Sequence, residues 1–64
     1  MIFKHDIFTF EVFREHNELK IHMIEYTTEE GEIISLVNPC DMTYVLCDSI
    51  INEAQNEFNE QENE

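Results

Sequence analysis

Positive charge is what this chain lacks most. Lysine and arginine together number 3 against 15 aspartates and glutamates, giving a formal net charge of −12 over 64 residues. That deficit excludes direct nucleic-acid binding by phosphate neutralisation, which needs a clustered basic surface. It also argues against docking on anionic lipid, which needs groups of Lys and Arg. One glycine and one proline leave no flexible linker and no Gly-rich loop to cradle a phosphate. Two cysteines, Cys40 and Cys47, are too few for a disulfide scaffold. No apolar run approaches the roughly 18 residues of a membrane span. Asp6 and Glu11 interrupt any signal-peptide pattern at the N-terminus, so the expected compartment is the cytoplasm.

Apolar residues are nevertheless plentiful. They make up 42% of the chain, with five phenylalanines, and they are dense from Ile2 to Ile51. A single small domain is expected over residues 1–58, with an acidic, frayed tail over 59–64. A chain this short buries only about 60% of the surface its unfolded form exposes, so its stability is marginal.

The pattern predicts three strands and a helix. Over residues 7–13, Phe8, Phe10 and Val12 alternate with Ile7, Thr9, Glu11 and Phe13, which is the period of a strand. Residues 14–18 are polar and form a connection. Residues 19–26 give a second strand, with Leu19, Ile21 and Met23 on one face and His22, Ile24 and Tyr26 on the other. Gly31 suits a turn needing positive φ, and residues 32–37 give a third strand. Asn38-Pro39 is expected to close the sheet, since proline cannot continue a ladder. Asp41 or Thr43 then caps a helix whose apolar stripe is Tyr44, Cys47, Ile51, Ala54 and Phe58, broadened by Ile50. The fold class is α+β, a three-stranded antiparallel meander with one C-terminal helix across one face (β-β-β-α). One helix covers one sheet face. The other would carry Ile7, Phe13, Ile24, Tyr26, Ile33 and Val37, an apolar interface for a partner or a homodimer.

Catalytic and metal patterns are absent. Cys40 and Cys47 lie outside the spacing of a zinc knuckle, and seven helical residues would set them about 10 Å apart, too far for a disulfide. Cys47, on the apolar stripe, reads as a small core residue. His5, His16 and His22 read as structural or surface histidines. The loop 27–32 lacks the alternating Asp/Asn ligands of an EF-hand. Ser35 and Ser49 sit in no nucleophile motif. The chain is therefore expected to be no enzyme, with no cofactor and no metal.

The carboxylates remain. They group as Glu29, Glu30 and Glu32 at the second turn, as Glu11, Glu15 and Glu18 at the first, and as Glu53, Glu57, Glu60 and Glu64 at helical spacing. The last set would make one acidic stripe with about 5–6 Å between neighbours, an interval of the order of successive phosphates along a duplex strand. No Lys or Arg follows Lys20. Like charges at i, i+4 cost a helix a few tenths of a kcal/mol each, and solubility needs a net charge of only about 2–8. The acid thus reads as a binding surface for a basic partner, formed by Glu29, Glu30, Glu32, Asp48, Glu53, Glu57 and Glu60. In size and charge the chain resembles the small acidic proteins that viruses and phages encode to block nucleic-acid enzymes of their hosts. That resemblance implies an inhibitor of a basic nucleic-acid-binding protein, acting as a nucleic-acid mimic in the host cytoplasm. The alternative is an adaptor or antitoxin-like protein whose specificity lies in the apolar sheet face.

Overall fold

The computed structural model describes residues 1–62. It is an α+β fold with four strands rather than three. In chain order these are β1 (Ile2–His5), β2 (Phe8–Glu15), β3 (Glu18–Thr27) and β4 (Ile33–Asp41), followed by α1 (Asp48–Glu62). The strands form one antiparallel meander in the order β1-β2-β3-β4.

The strand absent from the sequence reading is β1, only four residues long. It pairs with β2 across a two-residue loop, His5 opposite Phe8, and Asp6 takes φ 57° to close it. The ladder continues to the terminus, where the Met1 ammonium donates to the Val12 carbonyl at 2.9 Å and the Val12 N–H to the Met1 carbonyl at 2.8 Å. Between β2 and β3 the polar connection shrinks to His16 and Asn17, both at positive φ (51° and 65°). Two successive left-handed residues make a type I′ hairpin, whose twist matches the strands it joins. Gly31, at φ 87°, turns the loop before β4 as expected.

Cross-strand pairing fixes which residues share a face. Phe3 pairs with Phe10, Phe10 with Met23, and Val12 with Ile21. This face carries the core: Phe3, Phe10, Val12 and Ile21 are buried together with Ala54 of α1, and Leu19, Met23, Leu46, Ile50, Ile51 and Phe58 pack around them. Phe3 and Phe10 lie tilted at 6.2 Å between ring centroids, within the range of favourable aromatic pairs. Ala54 is fully buried because the helix backbone approaches β2 there, and a larger side chain would hold it off.

Two irregularities were not legible in the alternation. On β3, Ile24 is an extra residue opposite the Thr9/Phe10 junction, a bulge that reverses the face of everything beyond it. On β4 the segment 36–39 bulges opposite Ile24, and pairing resumes with Cys40 opposite Met23 and Asp41 opposite His22. Asn38-Pro39 therefore interrupts the third predicted strand without ending it. Proline is tolerated there because β4 is an edge strand and the residue lies in a bulge.

The helix starts later than predicted, at Asp48. Asp41 caps a turn instead: its Oδ1 accepts the Thr43 N–H at 2.9 Å. The Thr43 hydroxyl accepts the Ile21 N–H at 3.0 Å, and the Met42 N–H donates to the Ile21 carbonyl at 2.9 Å. These bonds hold residues 42–47 against β3 as a connector. Tyr44 is 79% exposed and Cys47 is exposed, so neither belongs to the core stripe, whereas Ile50, Ile51, Ala54 and Phe58 do. At its far end α1 runs on to Glu62, past the expected start of a tail at residue 59. No helix among the described residues is long and apolar enough to cross a membrane.

Candidate functional site

The three Lys and Arg side chains stand on the first three strands, Lys4 on β1, Arg14 on β2 and Lys20 on β3. Lys20 lies 3.4 Å from the Glu18 carboxylate and over the Tyr44 ring, 5.5 Å from its centroid. The hydrogen bond that its ammonium donates to the Glu18 carboxylate holds the Lys20 amine above the usual lysine range. Arg14 lies 5.6 Å from the Phe58 ring centroid, a cation–π contact that ties the end of β2 to the helix. Lys4 is exposed on β1. Basic charge is thus confined to β1, β2 and the start of β3.

The acidic set occupies the rest. Glu53, Glu57 and Glu60 all fall within α1 and are exposed. On a helix these positions rise by about 6 Å and then 4.5 Å within a 60° sector, so the predicted stripe exists over these three residues. Glu64 lies outside the described residues. Asp48 sits in the first turn, where the helix dipole favours it; Glu57 and Glu60 lie toward the end where the dipole opposes them. Glu53 is 4.0 Å from His5 Nδ1, a contact that becomes an ion pair when the imidazole is protonated. Glu29, Glu30 and Glu32 are exposed in the loop between β3 and β4. Among the described residues Glu29, Glu30, Glu32, Asp48, Glu57 and Glu60 have no ion pair.

Loop and stripe do not merge. His5, Phe8, Tyr26 and Ile34 form one cross-strand row, so Glu53, beside His5, lies at the loop's end of the sheet but on the β1 side. The loop lies at β4, three strand spacings or about 14 Å across. Glu15 and Glu18 flank the hairpin at the opposite end, with Glu15 3.9 Å from His16, and Glu11 faces His22 across β2 and β3.

The six apolar positions are distributed rather than joined in one face. Tyr26 pairs with Phe8 and Ile34, on the helix side, because of the bulge at Ile24. Phe13 pairs with Lys20 and Ile33 with Thr27. They share the open face but stand about 23 Å apart along β3. Ile7 is in the first turn, and Val37, 96% exposed, is in the β4 bulge. What does share a face is the smaller row of Phe8 (36% exposed) and half-buried Tyr26 and Ile34 on the helix side, with Ile7 (46%) in the adjoining turn and Ile33 (63%) at the same end of the sheet but on the open face. Phe8 and Ile34 were missing from the predicted set because Phe8 follows the core alternation and Ile34 was not separated from its neighbours. The open face itself is largely polar, with Lys4, Thr9, Glu11, Lys20, His22, Glu25, Ser35 and Asp41 in register around Phe13; Phe13 packs edge-on to His22 at 5.0 Å.

Two further groups are tuned by their neighbours. The Thr43 hydroxyl and N–H hold the Asp41 carboxyl below the usual range. Cys47 is the N-cap of α1, its carbonyl accepting the Ile50 and Ile51 N–H groups at 3.1 and 3.2 Å. The Ser49 hydroxyl, 3.2 Å from its sulfur, and the Ile50 N–H lower its thiol from the usual value. Among the described residues no pocket is found and no three His, Cys, Asp or Glu side chains are grouped to hold a metal.

Fold and surface together define a small α+β domain, a four-stranded antiparallel meander carrying one acidic C-terminal helix. No family model, no curated protein and no solved structure matches the chain.

Proposed function

We propose that this chain is an acidic binding protein that engages and inhibits a basic nucleic-acid-handling protein by occupying its phosphate-binding surface. The observation that supports the reading is the set Glu29, Glu30, Glu32, Asp48, Glu57 and Glu60: exposed and without ion pairs among the described residues, the first three in the hydrogen-bonded turn between β3 and β4 and the last three on α1. Burial cannot explain it, and at i, i+4 the repulsion of Glu53 and Glu57 costs helix stability. A dense negative surface steers basic partners and raises their association rate at low salt. On α1 its spacing approximates that of strand phosphates, which is what a mimic requires.

The test is capture from a bacterial lysate at low salt, elution with salt, and competition between the chain and labelled nucleic acid for each eluted protein. The reading expects a nucleic-acid-binding protein that is displaced from nucleic acid by the chain, and less well by a Glu53→Gln, Glu57→Gln, Glu60→Gln variant. Binding that persists in 0.5 M salt and ignores those changes would exclude the mimic. A second reading, an adaptor held by apolar contact, draws on the exposed apolar end at Ile7, Phe8 and Ile33. It is favoured if Phe8→Ser abolishes binding while the Glu→Gln series does not.

A further inference from the structure

At the outer edge of β4, unpaired main chain, apolar surface and acid meet. The Thr27 N–H donates to the Ile7 carbonyl at 2.9 Å, so the main-chain groups of Thr27 point toward β2. These groups alternate from side to side along an antiparallel strand. Tyr26 therefore exchanges hydrogen bonds with its partner Ile34, while Ile33 and Ser35 turn their N–H and C=O groups to the outer edge, where no strand lies among the described residues. The bulge at 36–39 and Pro39 close the rest of β4 to pairing. What remains is a short open ladder at the end bearing Glu29, Glu30 and Glu32.

The side chains beside this ladder have opposite characters on the two faces. On the helix side the row Phe8–Tyr26–Ile34 is apolar and partly exposed, and a strand added beside Ile34 would extend it. On the open side the row is Lys4–Thr9–Glu25–Ser35. Glu25 accepts a hydrogen bond from the Thr9 hydroxyl at 3.5 Å and has no ion pair among the described residues. A long cationic side chain opposite Ser35 would cross that small residue toward Glu25, two strand spacings or about 10 Å away.

We infer that the β4 edge at Ile33–Ser35 receives an extended segment of the partner by strand addition, and that the segment alternates apolar and basic residues, apolar beside Ile34 and Lys or Arg beside Ser35. This rests on the reading that the partner is basic and gives that partner a seat. Charge complementarity selects the occupant: a second copy, at −12, would bring like charge against Glu25 and the loop acids.

The test uses the full chain with an acetylated octapeptide of alternating Lys and Val, a block peptide of the same composition, and an alternating Glu–Val peptide. The alternating Lys–Val peptide is expected to bind best and to slow amide exchange at Ile33 and Ser35 at least about tenfold, an effect within reach of a few main-chain hydrogen bonds. Ile33→Pro removes an outward N–H and no internal bond, so it should weaken binding at least about tenfold; Ser35→Lys should do likewise by charge. The Glu53→Gln, Glu57→Gln, Glu60→Gln variant should retain peptide binding within about twofold. Equal binding of the block peptide, unchanged exchange at Ile33 and Ser35, or Ile33→Pro converting a dimer of the chain alone to a monomer would each overturn the inference. Capture of a nucleic-acid-binding protein that Ile33→Pro leaves intact overturns the edge but not the binding reading. Peptide bound at the edge with no such protein captured supports the edge and overturns that reading.

Discussion

Ala54→Leu tests the contact that holds α1 on the sheet. Ala54 is fully buried among Phe3, Phe10, Val12 and Ile21, and a leucine there adds three carbons to a filled space. Overpacking of this kind costs about 1–3 kcal/mol. A domain of this size has a total stability of roughly 3–10 kcal/mol, so the loss is a large fraction of it. Each kcal/mol should lower Tm by about 4–8 °C. Ala54→Gly gives the opposite perturbation: it removes one buried methyl and adds the backbone cost of glycine in a helix, together about 1.5–2 kcal/mol. Gln55→Gly, one residue on and exposed, carries only the backbone part, about 1 kcal/mol. Urea unfolding followed by circular dichroism measures all three. If Ala54→Leu unfolds at the wild-type midpoint, or Ala54→Gly costs no more than Gln55→Gly, the helix is not seated through Ala54 and its acidic stripe has no fixed relation to the sheet.

Other outcomes follow from single residues. Gly31→Ala meets no atom within 4 Å but inherits φ 87°, so it should cost about 1–2 kcal/mol in urea unfolding, from backbone strain alone; a neutral result would contradict the turn. Cys47, its thiol lowered by Ser49 and the Ile50 N–H, should be alkylated faster than Cys40 near pH 7.5 when the two are followed by mass spectrometry; Ser49→Ala should narrow the difference, and a faster Cys40 would contradict the N-cap geometry. The Asp41 carboxyl, depressed by Thr43, should titrate by NMR below the usual value of about 3.9 and rise toward it in Thr43→Val. Because the folded state lowers this group, its stabilising effect is complete above the unfolded carboxyl range and fades as pH falls through the folded value. An Asp41 that titrates at or above the ordinary value would contradict the connector's bonding.

Much of this fold was legible in local pattern. The alternation of Phe8, Phe10 and Val12 against Leu19, Ile21 and Met23 identified the two central strands, and Ile51, Ala54 and Phe58 identified the helix. What escaped has physical causes. β1 is too short to show a period, and it is held by pairing with β2 and a positive φ at Asp6. The bulge at Ile24 is invisible in hydropathy, yet it moves Tyr26 across the sheet, which is why the expected apolar face is dispersed. Pro39 marked an interruption correctly, but the return of Cys40 and Asp41 to β3 depends on contacts distant in sequence. Tyr44 and Cys47 fit the helical period by spacing, while Asp41 and Thr43 tie that segment to β3 before a helix can start. The acidic stripe was predictable as far as the helix was, and α1 runs far enough to include Glu53, Glu57 and Glu60.

The measurement that bears most directly on the account is the salt dependence of the chain's competition with nucleic acid for a captured basic protein. Displacement of the nucleic acid should be strongest at low salt and weaken steeply between 50 and 500 mM, as screening shortens the reach of exposed charge. The Glu53→Gln, Glu57→Gln, Glu60→Gln variant should flatten that slope while leaving the fold unchanged by circular dichroism. Displacement that is flat with salt, or a variant that competes as well as the wild type at every salt concentration, would contradict the claim that the carboxylates of α1 stand in for phosphates.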